Sequence, residues 1–261
     1  NRARQSALMS NCVYLQRILG LVAERRSKQM TIRHDNRSWR LSGGGDGQRL
    51  ARYVVIAILS AIAFWGIGRA RLENGGAPLD FDLRLSQQFG DTVSGPAGEA
   101  LRLLYLVSGI HGTGMLVAVM LVVLALRRRW ADLLALSIGC AGVLLCVDMV
   151  LKPWLAMARP PARLVVASGW GFPSGHAAGA MVFYPLLVVV LTTRHRILSQ
   201  WVAFLAVLWI AAIWLSSLHV RAHWLSDLMA GAMVGLIWLQ IACAVRWVGH
   251  ARSGFGPTGG R

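Results

Sequence analysis

Three short clusters set residues able to bind an oxyanion and move protons beside long apolar runs. The first is Lys152-Pro-Trp-Leu-Ala-Met-Ala-Arg159-Pro160. The second is Gly171-Phe-Pro173-Ser174-Gly175-His176. The third runs from Ser216 and Ser217 through His219, Arg221 and His223 to Asp227. Lys152 and Arg159 together can neutralise a polyanion: arginine offers a planar fork for phosphate and lysine a point charge. Either cation taken alone could equally snorkel to lipid headgroups. Pro173-Ser174-Gly175-His176 opens an apolar run, so unbonded N–H groups of a helix N-terminus form an anion site there. Gly175 allows close approach, Ser174 adds a hydroxyl, and His176 can donate a proton to a leaving oxygen. His223 and Asp227, four residues apart, share one face if they lie on a helix. A carboxylate bonded to one imidazole nitrogen fixes the tautomer and leaves the other nitrogen to attack.

Neighbouring residues refine this picture. Asp148 lies one turn before Lys152, and an ionisable group in an apolar run is costly unless paired. An Asp148–Lys152 pair that orients the lysine is therefore expected. His219, His223 and Asp227, at four-residue spacing, could bind a metal on one helix face. No His-Glu-x-x-His accompanies them, and the stretch between Trp214 and Trp224 is not expected to be one continuous helix. No metal or other cofactor is predicted. His111, inside the small-residue run Ser108 to Gly114, reads as a helix-packing position. Cys12, Cys140, Cys146 and Cys243 form no Cys-x-x-Cys pair and read as inert thiols.

Six apolar segments must position the clusters, at about 51–68, 103–126, 131–151, 175–191, 201–217 and 225–245. A helix needs roughly 20 apolar residues to cross a bilayer, within about 17–25. The runs lack the alternation of barrel strands. The expected fold is all-α: an integral-membrane bundle of six transmembrane helices over residues 51–247. A basic segment, 1–50, precedes it and a tail, 248–261, follows. Within that segment, 13–23 reads as an amphipathic surface helix or a solvated tail. Met30 is expected to lie nearer the natural start, with residues 1–29 dispensable. The connection 69–102 reads as a solvated loop with a short amphipathic helix around 81–89, and no chemistry is assigned to it.

Composition narrows the class. The chain has 261 residues, 56% hydrophobic and 15% charged, yet a net charge of +16. So apolar a chain is not disordered. So low a charged fraction argues against reading basicity as nucleic-acid binding. Nineteen of the 27 Lys and Arg fall before residue 53, at 127–129, at 194–196 and after 245. Positive-inside logic then puts both termini in the cytoplasm. The loops after the third and fifth segments share a membrane face, so all three clusters converge on the outer side. Trp130, Trp154, Trp201, Trp224 and Trp247 suit interface anchors.

Together the clusters resemble the three signature motifs of the type 2 phosphatidic acid phosphatase (PAP2) superfamily. That family includes membrane lipid phosphatases and is related to the vanadium haloperoxidases. Its Lys-x6-Arg-Pro motif is matched by Lys152, Arg159 and Pro160, and its Pro-Ser-Gly-His motif by Pro173 to His176. Its Ser-Arg-x5-His-x3-Asp motif is matched by Ser216, His223 and Asp227, with Ser217 in place of the arginine. The resemblance implies that His223 attacks phosphorus, oriented by Asp227, and that a phosphohistidine forms and is hydrolysed. His176 would protonate the leaving group and then activate water. Lys152, Arg159 and the Ser174 and Gly175 amides would hold the equatorial oxygens, without a metal. Arg221 is the candidate to replace the absent arginine. The implied substrate is a lipid phosphate or diphosphate of the bacterial inner membrane: undecaprenyl diphosphate, phosphatidylglycerol phosphate, phosphatidic acid or lipid A phosphate. Membrane lipids would surround the chain, and no nucleic-acid partner is expected. Lipid phosphotransfer, transport and non-catalytic binding are the alternatives. Transport is disfavoured because the charges lie at one membrane edge and no inverted repeat is evident.

Overall fold

A computed structural model describes residues 45–90, 93–191 and 196–252. The readings for 13–23, Met30 and Cys12 lie outside the described residues. The chain divides into two units, Asn1–Gln48 and Arg49–Arg261, and the clusters all lie in the second.

Every element among the described residues is helical. The order is α1 (Gly45–Glu73), α2 (Asp80–Gly90), α3 (Gly95–Val107), α4 (Ile110–Leu126), α5 (Trp130–Leu144), a π-helical turn (Leu145–Leu151), α6 (Lys152–Leu155), α7 (Gly175–Leu191), α8 (Arg196–His219) and α9 (Leu225–Arg252). Exposed apolar side chains such as Ile58, Ile62 and Trp65 on α1, or Phe204, Leu205 and Leu208 on α8, suit a lipid surround. The chain is a multi-pass membrane protein.

Not all of the six expected spans are single long helices. Among the described residues, four stretches are long and apolar enough to cross: Asp46–Glu73, Trp130–Leu155, Ile197–His219 and Leu225–Ala251. The expected second span is broken into α3 and α4, which bend by 53° and make a fifth span only if taken together. The break falls at Ser108-Gly109, where polar groups satisfy the interrupted backbone: Ser108 Oγ donates to the Tyr105 carbonyl and Thr113 Oγ1 to the Ser108 carbonyl, at 3.2 and 2.9 Å. The fourth segment, α7, has 17 residues. The first is longer than its apolar run, because α1 continues through Arg69 and Arg71 to Glu73.

Pro153 does not stop the third segment. The π-helical turn shifts the register, with the Lys152 N–H reaching the Val147 carbonyl, so a residue lacking an N–H is accommodated at the start of α6. The helix ends where Ala156 takes a left-handed conformation, φ 47°.

The centre of the bundle is α9, which packs most extensively against α7 and α5. Small residues permit the approach. A Cβ at Gly231 would stand 2.3 Å from the Ser174 carbonyl oxygen, and one at Gly235 would stand 2.6 Å from that of Ala178. Between these helices lies a core of Leu136, Val143, Val182, Leu186 and Ala242.

Candidate active site

The three clusters meet at one end of this packing. α6 and the following loop supply Lys152 and Arg159, the N-terminus of α7 supplies Ser174 to His176, and the turn between α8 and α9 supplies His223, with Asp227 in the first turn of α9. α8 does end at His219 and α9 begins at Leu225. His223 therefore precedes the helix that holds Asp227, rather than sharing its face.

His223 is buried and held at both ring nitrogens. Nδ1–H donates to the Gly171 carbonyl at 3.0 Å, and Asp227 Oδ2 stands 3.6 Å from the same atom. The nearest oxygen holding the tautomer is thus a main-chain carbonyl, with the carboxylate behind it. Nε2 faces Arg159, whose Nη1 lies 3.1 Å away. Burial first, then the Arg159 and Lys152 cations, push the imidazole well below its ordinary range, so it is neutral.

Arg159 reaches His223 from a fixed cradle. It donates to the carbonyls of Gly169, Ala222 and Ser168 at 3.1, 2.9 and 3.4 Å. Burial lowers this guanidinium, but arginine starts so far above neutrality that it stays a cation. Arg159 also lines an open groove with Pro160, Arg163, Val165 and Val166. Lys152 pairs with Asp148 at 2.5 Å, the pairing expected from their spacing. Its Nζ would stand 3.5 Å from a Cβ at Gly175, which places the ammonium over the first residue of α7.

Ser174 caps α7: its Oγ accepts the Ala177 N–H at 3.4 Å. Its own N–H donates to the Asp227 carbonyl at 2.9 Å. That amide, expected to hold an anion, is therefore engaged within the fold, leaving the Gly175 and His176 N–H groups at the helix opening. His176 Nε2–H donates to the Tyr105 carbonyl at 3.3 Å, and its ring stacks on Tyr105 at 4.4 Å. Its centroid lies 6.1 Å from that of His223. Gly109 makes room for it, since a Cβ there would stand 3.4 Å from His176 Nε2. His111, read as the packing residue of that run, is instead exposed.

Other expected residues stand further out. Pro160 and Pro173 are buried beside the cradle and the cap. Ser216 and Ser217 both donate to the Ile213 carbonyl at 2.8 Å and are buried in α8. Arg221 adopts a left-handed conformation, φ 53°, and lines a small cavity with His223, Trp224, Asp82 and Ser86. His219 packs against the start of α3, its Nε2 3.3 Å from where a Gly98 Cβ would stand. Among the described residues no three His, Cys, Asp or Glu side chains come together as a metal-binding set.

Sequence reasoning missed one part. Arg71 and Asp82, from the connection to which no chemistry was assigned, are buried against Ser226 and Asp227. A positive residue just beyond an apolar run looks topogenic or solvated, so spacing alone carried no signal for it.

A neutral buried histidine, two fixed cations and a helix N-terminus, gathered in a helical bundle, have the chemistry to bind an oxyanion. Residues 133–250 match the family model described as "PAP2 superfamily". Phosphatidylglycerophosphatase B of Bacillus subtilis (strain 168) is 31% identical over 115 residues, which cover 42% of this chain and 56% of that protein. The match thus spans little more than half the length of that relative. The fold is also similar to the crystal structure of a transmembrane PAP2 type phosphatidylglycerolphosphate phosphatase from Bacillus subtilis. The TM-score is 0.62 with 21% identity, over 72% of this chain and 94% of that one.

Proposed function

We propose that this chain is a lipid phosphatase that hydrolyses a phosphate monoester or diphosphate through a phosphohistidine on His223. The observation that carries the reading is the state of that ring. Its Nδ1–H is committed to the Gly171 carbonyl, and its Nε2 lone pair points at Arg159. An incoming phosphoryl group would take the Arg159 N–H, and Nε2 would then be left facing phosphorus.

The surrounding groups fit the remaining steps. Arg159, Lys152 and the Gly175 and His176 amides stabilise charge on the equatorial oxygens of a five-coordinate phosphorus. Positive charge develops on His223 as the N–P bond forms, and Asp227 Oδ2 at 3.6 Å offsets it. His176 commits Nε2–H to Tyr105, so Nδ1 is the open position on the ring: it takes up a proton as the anionic substrate binds, gives that proton to the leaving oxygen, and then accepts one from water. Arg221, which shares a cavity with His223, supplies the charge that Ser217 lacks. Fixed cations do the neutralising, so no metal is required. The site opens on the extracytoplasmic face of the bacterial inner membrane, where an anionic headgroup meets the site while its tails stay in the bilayer. Phosphatidylglycerol phosphate is the first substrate to try, given the phosphatidylglycerophosphatase relative.

The test is phosphate release by the purified full chain, with EDTA present, from a panel of lipid phosphates and diphosphates. Activity, inhibition by vanadate, and an acid-labile phosphoenzyme absent from His223→Ala are expected. A metal-dependent activity, or His223→Ala turning over like the parent, would overturn the reading.

A further inference from the structure

Arg71 closes α1 just before its last two residues, outside the segment 133–250 that matches the family. It is 0% exposed. Its Nη1 donates to Ser226 Oγ at 2.6 Å and to Asp227 Oδ1 at 3.1 Å, and Nη2 donates to the Gly76 carbonyl at 3.2 Å. Asp82, from α2 and 1% exposed, stands 3.7 Å from the same Nη1. Its two oxygens accept the Ser226 N–H at 2.8 Å and the Ser226 hydroxyl at 2.7 Å. The guanidinium also lies 5.7 Å from the centre of the Phe172 ring, next to Gly171, whose carbonyl holds His223.

A buried ion pair gains little stability over apolar packing, so its geometry calls for another reason. Here Asp227 has both oxygens engaged: Oδ1 by Arg71 and Oδ2 by the Trp224 N–H at 3.0 Å. The carboxylate cannot rotate, and Oδ2 is left facing His223 Nδ1. An arginine alone would cancel the negative charge that His223 needs once it becomes cationic. Asp82 neutralises the arginine, so the trio keeps a net negative charge.

We propose that Arg71 and Asp82 are a positioning pair for His223, acting through Ser226 and Asp227 to fix the imidazole's tautomer and the carboxylate behind it. Its catalytic consequence rests on the phosphatase reading; its structural consequence does not. Two readouts on the detergent-solubilised full chain separate these. The first is nitrogen NMR of labelled histidines, with the His223 signal assigned by His223→Gln. The parent should show a single Nδ1–H tautomer, and Arg71→Lys and Asp82→Asn should each give a mixture. The second is kinetics on a lipid phosphate: kcat should fall about tenfold in each variant while KM stays within twofold. Glu73→Gln, at an exposed pair with Arg69, should change neither. Asp82→Asn is nearly isosteric and keeps the test alive if Arg71→Lys folds poorly. Tautomer mixing in a chain with no phosphatase activity would sink the phosphatase reading and keep this one. An unchanged His223 signal in the folded variants would overturn the positioning pair.

Discussion

At the scale of single residues, the site works by committing polar atoms in advance. Arg159 donates to three carbonyls and faces His223, so on the phosphatase reading the cation would be in place before a phosphate arrives. Arg159→Ala should therefore lower kcat/KM by about 100- to 1,000-fold, the usual cost of losing one preorganised oxyanion donor. Arg221→Ala should cost about tenfold, because its cavity touches His223 from the side. No loss at Arg221 in steady-state assays, with turnover abolished in Arg159→Ala, would remove it as the stand-in for the missing arginine. His223 also makes a pH prediction. Its folded pKa lies below the ordinary ~6.5, so the folded chain binds fewer protons than the unfolded one. The stability this contributes is full above about pH 6.5 and declines as pH falls through it. Between pH 7 and 5 the parent should lose more thermal stability than His223→Gln.

At the scale of elements, the cap of α7 at Ser174 was legible because fixed spacing encodes local geometry. The Asp148–Lys152 pair and the helix at Asp80–Gly90 were legible for the same reason. Two features were not. The bend between α3 and α4 depends on hydroxyls bonding back to the backbone, and hydropathy alone reads Leu103 to Leu126 as a single run. The π-helical turn before Pro153 likewise arises from packing rather than composition. The α7–α9 contact makes the sharpest prediction at this scale. A methyl at Gly231 would press on the carbonyl of Ser174, the residue that caps α7 and ties it to Asp227. Gly231→Ala should destabilise the fold by about 1–3 kcal/mol, as overpacking does. It should also lower kcat more than Gly66→Ala, where nothing stands within 4 Å of the new methyl. Thermal unfolding and turnover of the two variants check this.

At the scale of the whole molecule, charge does two jobs that composition could not separate. Arg129 and Arg246 belong to the clusters read as topogenic, yet both converge on Asp132 at the end of the bundle away from His223. Arg129 Nε lies 2.7 Å and Arg246 Nε 2.6 Å from the carboxylate, which is 1% exposed. Arg129 also donates to the Val190 carbonyl at 3.0 Å, so one acidic residue ties the ends of α5, α7 and α9. Removing one partner of a buried pair costs about 3–5 kcal/mol, and these arginines are partly exposed, so the cost here should fall below that range. Asp132→Asn is expected to lose about 2 kcal/mol of stability. Its kcat at low temperature should stay near the parent's, because the charge network at Asp132 shares no group with the one at His223. Arg127→Gln and Arg128→Gln carry the opposite expectation: unchanged stability, but a weaker bias toward a cytoplasmic 127–129 loop. Labelling single cysteines placed at Arg128 and Arg163 in intact cells reads that bias directly. Reagent reaching position 163 but not 128 is the expected result, and the reverse pattern would turn the whole bundle over.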